Sequence, residues 1–273
     1  MKHIHGFLAS PPLWINSQFG LQQFTIPSID LSTFEPHPIP KKLRLGHQIE
    51  YILHQILSHS EAYEVLAHNI QIQKGNDTIG ELDFIIHSSL PARQVRESGK
   101  LLHIELTYKF YILDPTISEP IHRLMGPNRK DLFFTKLEKT IQKQLPLIHT
   151  EEGKKTLKSL DIDASQLEQQ VVFMGQLFTP YNMQTPSIHP LNTDCIVGFW
   201  IRMQDFIADV FKKYTYYVTY KYEWIHTPHE DVTWISHFKV LLEIEQKHIQ
   251  KRAPIVWIKK EDTRIEKCFV VWW

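Results

Sequence analysis

A chain of 273 residues with 42% hydrophobic side chains holds enough apolar material for one large domain or two modest ones without covalent staples. Thirty Lys+Arg balance thirty Asp+Glu, which excludes a protein that coats nucleic acid by bulk phosphate neutralisation and leaves room only for a local basic patch. Cys195 and Cys268 make no C-x-x-C or Cys/His spacing, the sixteen histidines include no H-E-x-x-H pair, and no apolar run reaches spanning length; a cytoplasmic protein with neither disulfide framework, zinc site nor membrane partner is expected.

In chain order, residues 1–40 read as an extended lead-in, Pro-rich over 26–40. Over 42–59 the residues Leu45, Ile49, Ile52, Leu53, Ile56 and Leu57 recur at helical spacing and predict an amphipathic helix. Strands follow at 64–73 and 79–87, joined by the turn-forming Gly75-Asn76-Asp77, and a third at 101–111, to which residues 88–100 would connect as a hairpin. In that third strand Leu102, Ile104, Leu106, Tyr108 and Phe110 alternate with His103, Glu105, Thr107, Lys109 and Tyr111, so one face is core and the other is open to chemistry. A second helix over 131–145 buries Phe133, Phe134, Leu137, Ile141 and Leu145 and stops at Pro146. Beyond it lie strands at 170–178, 196–203 and 214–222, a helix at 234–251, and strands at 255–259 and 268–272.

Asp83 and Glu105 stand out because each is an acid inside an apolar strand, where carboxylates are rarely buried unpaired. Hairpin pairing places them side by side, and two such carboxylates repel unless a cation sits between them. Mg²⁺, or Mn²⁺ in its place, has the hard-oxygen preference that resolves the conflict while also binding a phosphate oxygen. Lys109, on the same strand face as Glu105, supplies a charge for the transition state or the attacking water. Glu50 on the first helix and Gln144 on the second are expected to support them. Arg123, Arg129, Lys130 and Lys136 are the candidate phosphate contacts, and the tyrosines from Tyr214 to Tyr222 are candidates for base stacking or plain strand packing.

The series Gly46-x-x-x-Glu50 on a helix, Gly80-Glu81-Leu82-Asp83 on a strand and Glu105-x-x-x-Lys109 on the next resembles a PD-(D/E)XK nuclease core. More closely, the chain is similar to the bacterial family known as domain of unknown function 1853. The likeness runs through Phe7-Leu8-Ala9-Ser10-Pro11-Pro12-Leu13, the segments around Asp83 and Glu105, Gly126-Pro127-Asn128-Arg129-Lys130-Asp131, Gln142-Lys143-Gln144-Leu145-Pro146-Leu147, Gly175-Gln176-Leu177-Phe178 and Gly198-Phe199-Trp200. One departure is that Thr107 occupies the lysine position of the superfamily's Glu-x-Lys and Lys109 comes two residues later, a shift of about 6 to 7 Å along the strand.

The resemblance implies an α/β fold with a restriction-endonuclease-like core over 41–150, a central mixed sheet flanked by helices, and an α+β portion over 151–273 packed on it as one structural unit. The expected activity is Mg²⁺-dependent hydrolysis of DNA or RNA, with Asp83 and Glu105 as metal ligands and Lys109, Glu50 and Gln144 in support. The alternative is an inactive nuclease-like module that binds nucleic acid or protein, which the displaced lysine and the neutral charge favour. Nothing in the sequence fixes the oligomeric state.

Overall fold

The structure, a computed structural model, describes residues 1–40, 42–88, 99–182 and 187–273. In chain order it contains α1 (Lys2–Leu8), the short strands β1 (Ser17–Gln18) and β2 (Leu21–Gln22), α2 (Leu45–His59), β3 (Tyr63–Lys74), β4 (Asp77–Ser88), β5 (Leu101–Leu113) and β6 (Leu124–Met125). There follow α3 (Phe133–Lys139), α4 (Glu151–Lys158), β7 (Leu167–Pro180), β8 (Ile196–Arg202), α5 (Met203–Phe206), β9 (Thr215–Val218), β10 (Ile235–Ser236), α6 (His237–Ile249), β11 (Ile255–Lys259) and β12 (Ile265–Val271). They form two compact units, the first made of Trp14–Tyr108 and Lys136–Phe173, the second of Met1–Leu13, Lys109–Thr135 and Met174–Trp273.

In the first unit the strands run in the order β7, β5, β4, β3, with β3, β4 and β5 successively antiparallel. The β3–β4 hairpin turns at Gly75, whose φ of +62° is the left-handed conformation that glycine adopts without strain. The spacing read for α2 holds: Ile49, Ile52, Leu53, Ile56 and Leu57 are buried, and the helix lies on β3. Each such side chain contributes about 1.5 to 3 kcal/mol by leaving water. The connection expected over 88–100 falls at 89–98 outside the described residues, but the antiparallel pairing of β4 with β5 that it was to produce is present.

The second predicted helix differs in an instructive way. Its α-helical part covers only Phe133–Lys139; Thr140–Gln144 form a wide π turn, and Leu145–His149 continue as a tight 3₁₀ turn. Pro146 therefore does not stop the helix, because it sits in the first turn of the new segment, where its missing N–H is no loss. The wide turn slips the buried face by about one residue: Thr140 is buried, whereas Ile141, expected in the core, is 38% exposed. The 3₁₀ turn then drops Leu147 and Ile148 into a cluster with Ile72, Leu82, Ile85, Leu157 and Ile162. Gly80 belongs to that packing, since a Cβ there would lie 2.6 Å from Leu147 Cδ2.

The second unit holds a mixed sheet in the order β10, β9, β11, β12, β8, β7. Its first four strands are antiparallel neighbours, and β12/β8 and β8/β7 are parallel. α6 packs on β9 and β10, with Val240 and Ile244 in a core that includes Phe206, Tyr216, Val256, Ile258 and Val270. Residues 1–40 are not wholly extended: Lys2–Leu8 are helical and bury Ile4 and Phe7. The expected strand at 214–222 shortens to Thr215–Val218 because Glu223 folds the chain back, accepting the Tyr220 N–H at 2.8 Å and the Tyr217 hydroxyl at 2.9 Å. Both cysteines are free and buried.

A candidate acidic site where two strands part

β4 and β5 keep register from His87↔Leu101 to Phe84↔Ile104. One step further the ladder would set Asp83 against Glu105. There a side chain takes over from the backbone: Asp83 Oδ2 accepts the N–H of Leu106 at 2.7 Å. The Asp83 carboxylate thus satisfies a donor of the opposite strand, which ties it to β5 one residue beyond Glu105 at the point where the strands separate.

The face of β5 read from the sequence as open to chemistry is buried. Glu105 is 1% exposed and His103 is 0% exposed, and Thr107 is buried as well. A carboxylate at such depth needs several hydrogen bonds, and Glu105 has them. Oε2 accepts from Gln144 Nε2 at 2.6 Å, and Oε1 lies 3.1 Å from His103 Nε2. Gln169 Nε2 donates to His103 Nδ1 at 3.0 Å and to the carbonyl of Leu145 at 2.6 Å. Because Nδ1 accepts, the imidazole proton sits on Nε2 and points at Glu105. Burial lowers the His103 pKa to about 4, so the ring is a neutral donor at physiological pH.

Burial holds the carboxyls of both Asp83 and Glu105 far above the ordinary carboxylate range, and the charge of Glu105 pushes Asp83 further in the same direction. Lys136 opposes this at both acids. Its Nζ donates to Gln144 Oε1 at 2.7 Å, and Thr140 Oγ1 is 3.2 Å from the same oxygen. The π turn is what presents Thr140 and Gln144 to this network together.

A second ring of polar groups lies beside the pair. Asn69, in a left-handed conformation with φ of 52°, is bracketed by the pairs His68↔Phe84 and Ile70↔Leu82 and so lies across from Asp83. Its Nδ2 is 3.2 Å from both Glu50 Oε2 and Glu81 Oε1. His47 Nδ1 is 2.9 Å from Glu50 Oε2, a contact that holds the imidazole above its ordinary pKa. Gly46 faces open space and so allows no special backbone approach.

Of the residues singled out from the sequence, Glu105 and Gln144 are joined directly and Asp83 is bonded to Leu106, the residue after Glu105, with the charges of Glu105 and Glu50 both raising its pKa. Lys109 pairs instead with Asp131 at 2.6 Å. Arg123 braces its own loop, donating to the carbonyls of Ile117 and Ser118, and Arg129 lies 4.0 Å over the Trp273 ring. Lys130 is exposed. Tyr216 is core, whereas Tyr220 and Tyr222 are exposed and stacked at 5.6 Å. His103, Gln169 and Asn69 escaped the sequence reading. His103 carried a signal, a second polar residue two positions before Glu105 on one strand face; Gln169 and Asn69 carried none.

Among the described residues no three His, Cys, Asp or Glu side chains converge as a metal cage. Asp83 and Glu105 offer two hard oxygen donors whose ionised forms a cation would favour, a set that suits an ion such as Mg²⁺, which keeps several waters and binds through one or two carboxylates. It does not suit zinc, which requires more protein ligands.

Fold and site together define a mixed α/β protein in which a sheet carries a buried pair of mutually repelling acids. The chain belongs to the family described as Domain of unknown function (DUF1853), whose model matches residues 28–271. No curated protein and no solved structure matches it. Among the described residues no helix is long and apolar enough to cross a membrane.

Proposed function

We propose that this protein is a Mg²⁺- or Mn²⁺-dependent phosphodiesterase acting on DNA or RNA, built on a PD-(D/E)XK-type core. The observation that carries the reading is the acid pair itself: Asp83 is bonded to the backbone of β5 beside Glu105, Glu105 is held by Gln144 and His103, and burial makes a charge on either acid costly. The order of motifs along the chain is what favours nucleic acid over other phosphodiesters.

Asp83 and Glu105 would hold the ion. When bound, it would neutralise the pair, polarise a phosphoryl oxygen and make a water more acidic. His103 and Gln144 each donate to one oxygen of Glu105, fixing its plane so that its remaining lone pairs keep one direction. In the reaction a water oxygen bonds to phosphorus as the bond to a sugar oxygen breaks. The water gives up one proton and the leaving oxygen takes one up, so a phosphomonoester and a hydroxyl are produced. Lys130 is the exposed basic residue retained as a phosphate contact, and the free buried cysteines suit a reducing, cytoplasmic compartment.

The test is cleavage of labelled single- and double-stranded DNA and RNA with and without Mg²⁺ or Mn²⁺, using wild type, Asp83→Asn and Glu105→Gln. Metal-dependent cleavage lost in both variants supports the reading. Absence of cleavage together with absence of divalent-ion binding by calorimetry overturns it. One observation favours a second reading, a non-catalytic binding module: the strand lysine, Lys109, is committed to Asp131. That module would bind nucleic acid equally well in EDTA.

A further inference from the structure

Hydrolysis of a phosphodiester builds negative charge on the phosphoryl and leaving oxygens, and an active site meets it with a fixed positive group as well as a metal ion. On β5 neither neighbour of Glu105 provides one, since Thr107 is uncharged and Lys109 is ion-paired with Asp131. We infer that Lys136, brought to the acid pair by α3, is the catalytic lysine of this site, an assignment that rests on the phosphodiesterase reading above.

The geometry places the ammonium one amide away from Glu105. Lys136 Nζ is 2.7 Å from Gln144 Oε1, and Gln144 Nε2 is 2.6 Å from Glu105 Oε2. With its carbonyl turned to the lysine and its NH₂ to the acid, Gln144 has a single orientation. The amide acts as a spacer: it holds the positive charge beside the carboxylate while occupying one oxygen with a neutral donor. The ammonium is tied through Gln144 to Glu105, and Asp83 is bonded to the residue next to Glu105, so one short chain of hydrogen bonds connects the lysine to the neighbourhood of both acids. The π turn supports the arrangement. Lys136, Thr140 and Gln144 are four residues apart in sequence, and the wide turn brings all three to one hydrogen-bonded cluster, with Thr140 Oγ1 also 3.2 Å from Gln144 Oε1. Such turns recur at functional sites.

The experiment compares full-length wild type with Lys136→Met, Lys136→Gln, Lys136→Arg and Lys109→Met, reading steady-state cleavage and, separately, Mn²⁺ affinity by calorimetry. Removing the charge in Lys136→Met should lower kcat by about a hundredfold or more with little change in KM. Its Mn²⁺ affinity should stay equal or become tighter, since a like charge beside the ligands is gone. Lys136→Gln keeps a donor for Gln144 and should show the same kinetic loss on an intact fold, Lys136→Arg should recover part of the rate, and Lys109→Met should cleave like wild type. Near-wild-type cleavage by Lys136→Gln, or loss of Mn²⁺ binding in step with cleavage in both neutral variants, overturns the assignment while leaving the phosphodiesterase reading in place. A wild type that neither cleaves nor binds Mn²⁺ removes both.

Discussion

Asp83 receives the backbone N–H of Leu106 at 2.7 Å, so a side chain of β4 completes the hydrogen bonding of β5 where the ladder between them ends. Asparagine can accept the same bond without the charge, and alanine cannot. Asp83→Ala should therefore lose about 1 to 3 kcal/mol of stability from the orphaned amide, while Asp83→Asn in EDTA should be at least as stable as wild type because it relieves the repulsion with Glu105. Urea unfolding of the three proteins decides this. Equal losses in both variants would mean that the bond to Leu106 is not what Asp83 provides.

His103 is expected to be neutral at pH 6, with its proton on Nε2, since Gln169 donates to Nδ1 and burial lowers its pKa to about 4. A long-range proton–nitrogen NMR correlation distinguishes the two tautomers directly. His103→Ala should cost about 1 to 3 kcal/mol by removing a buried donor from Glu105 and leaving part of Gln169 unpaired. A proton found on Nδ1 would refute the donation from His103 to Glu105.

Gln144→Glu converts the amide at 2.6 Å from Glu105 into a third acid. Its metal-free melting temperature should fall below that of wild type, and Mn²⁺ should raise it by more than it raises the wild type. An unchanged metal-free melting temperature would place Gln144 away from Glu105.

Lys267, on β12, gives a pH prediction of its own, isolated from the acidic site by a variant. It is 4% exposed, its Nζ donates to Gln176 Oε1 at 2.8 Å and to the Trp224 carbonyl at 2.9 Å, and burial lowers its pKa from 10.5 to about 7. Between these values the unfolded chain holds a proton on this lysine that the folded chain has released, so its contribution to stability rises with pH across the window and falls as pH drops toward 7. From pH 7 to 8.5 the Lys267 contribution should grow by about 1 to 2 kcal/mol, read by urea unfolding as the change with pH in the difference between wild type and Lys267→Met, because the raised carboxyls of Asp83 and Glu105 act in the opposite sense over the same range in both proteins. The range stops there because the buried thiol of Cys268, whose pKa is raised, acts in the opposite sense at higher pH. A wild-type minus Lys267→Met difference that stays constant from pH 7 to 8.5 would assign the effect elsewhere.

Local pattern carried a large part of the fold. The spacing of Ile49, Ile52, Leu53 and Ile56 gave α2, alternation gave β5, and Gly75-Asn76 gave the β3–β4 turn, because each depends on residues close in sequence. α4 was missed because only Gly153 and Leu157 of its eight residues are buried, too few to set a period. The slipped face at Thr140 and Ile141 has no sequence signature, since a wide turn changes hydrogen bonding and winding without requiring a characteristic residue. The acids themselves were legible as carboxylates among apolar strand residues. The partners that make them a site were not, because Gln169 reaches His103 across 66 positions and Gln144 reaches Glu105 across 39.

The π turn at Thr140–Gln144 also makes chain length a marker. A helix that accommodates one residue beyond its regular winding can relax by losing it, and nothing in Leu137 or Leu145, both buried anchors on either side, would resist the deletion. Relatives that depend on the glutamine spacer should then conserve the eight-position interval between the lysine and the glutamine more strictly than the identity of the exposed residues between them. Relatives that have shed one residue from the interval should have dispensed with the glutamine, and with it the charge beside the acids.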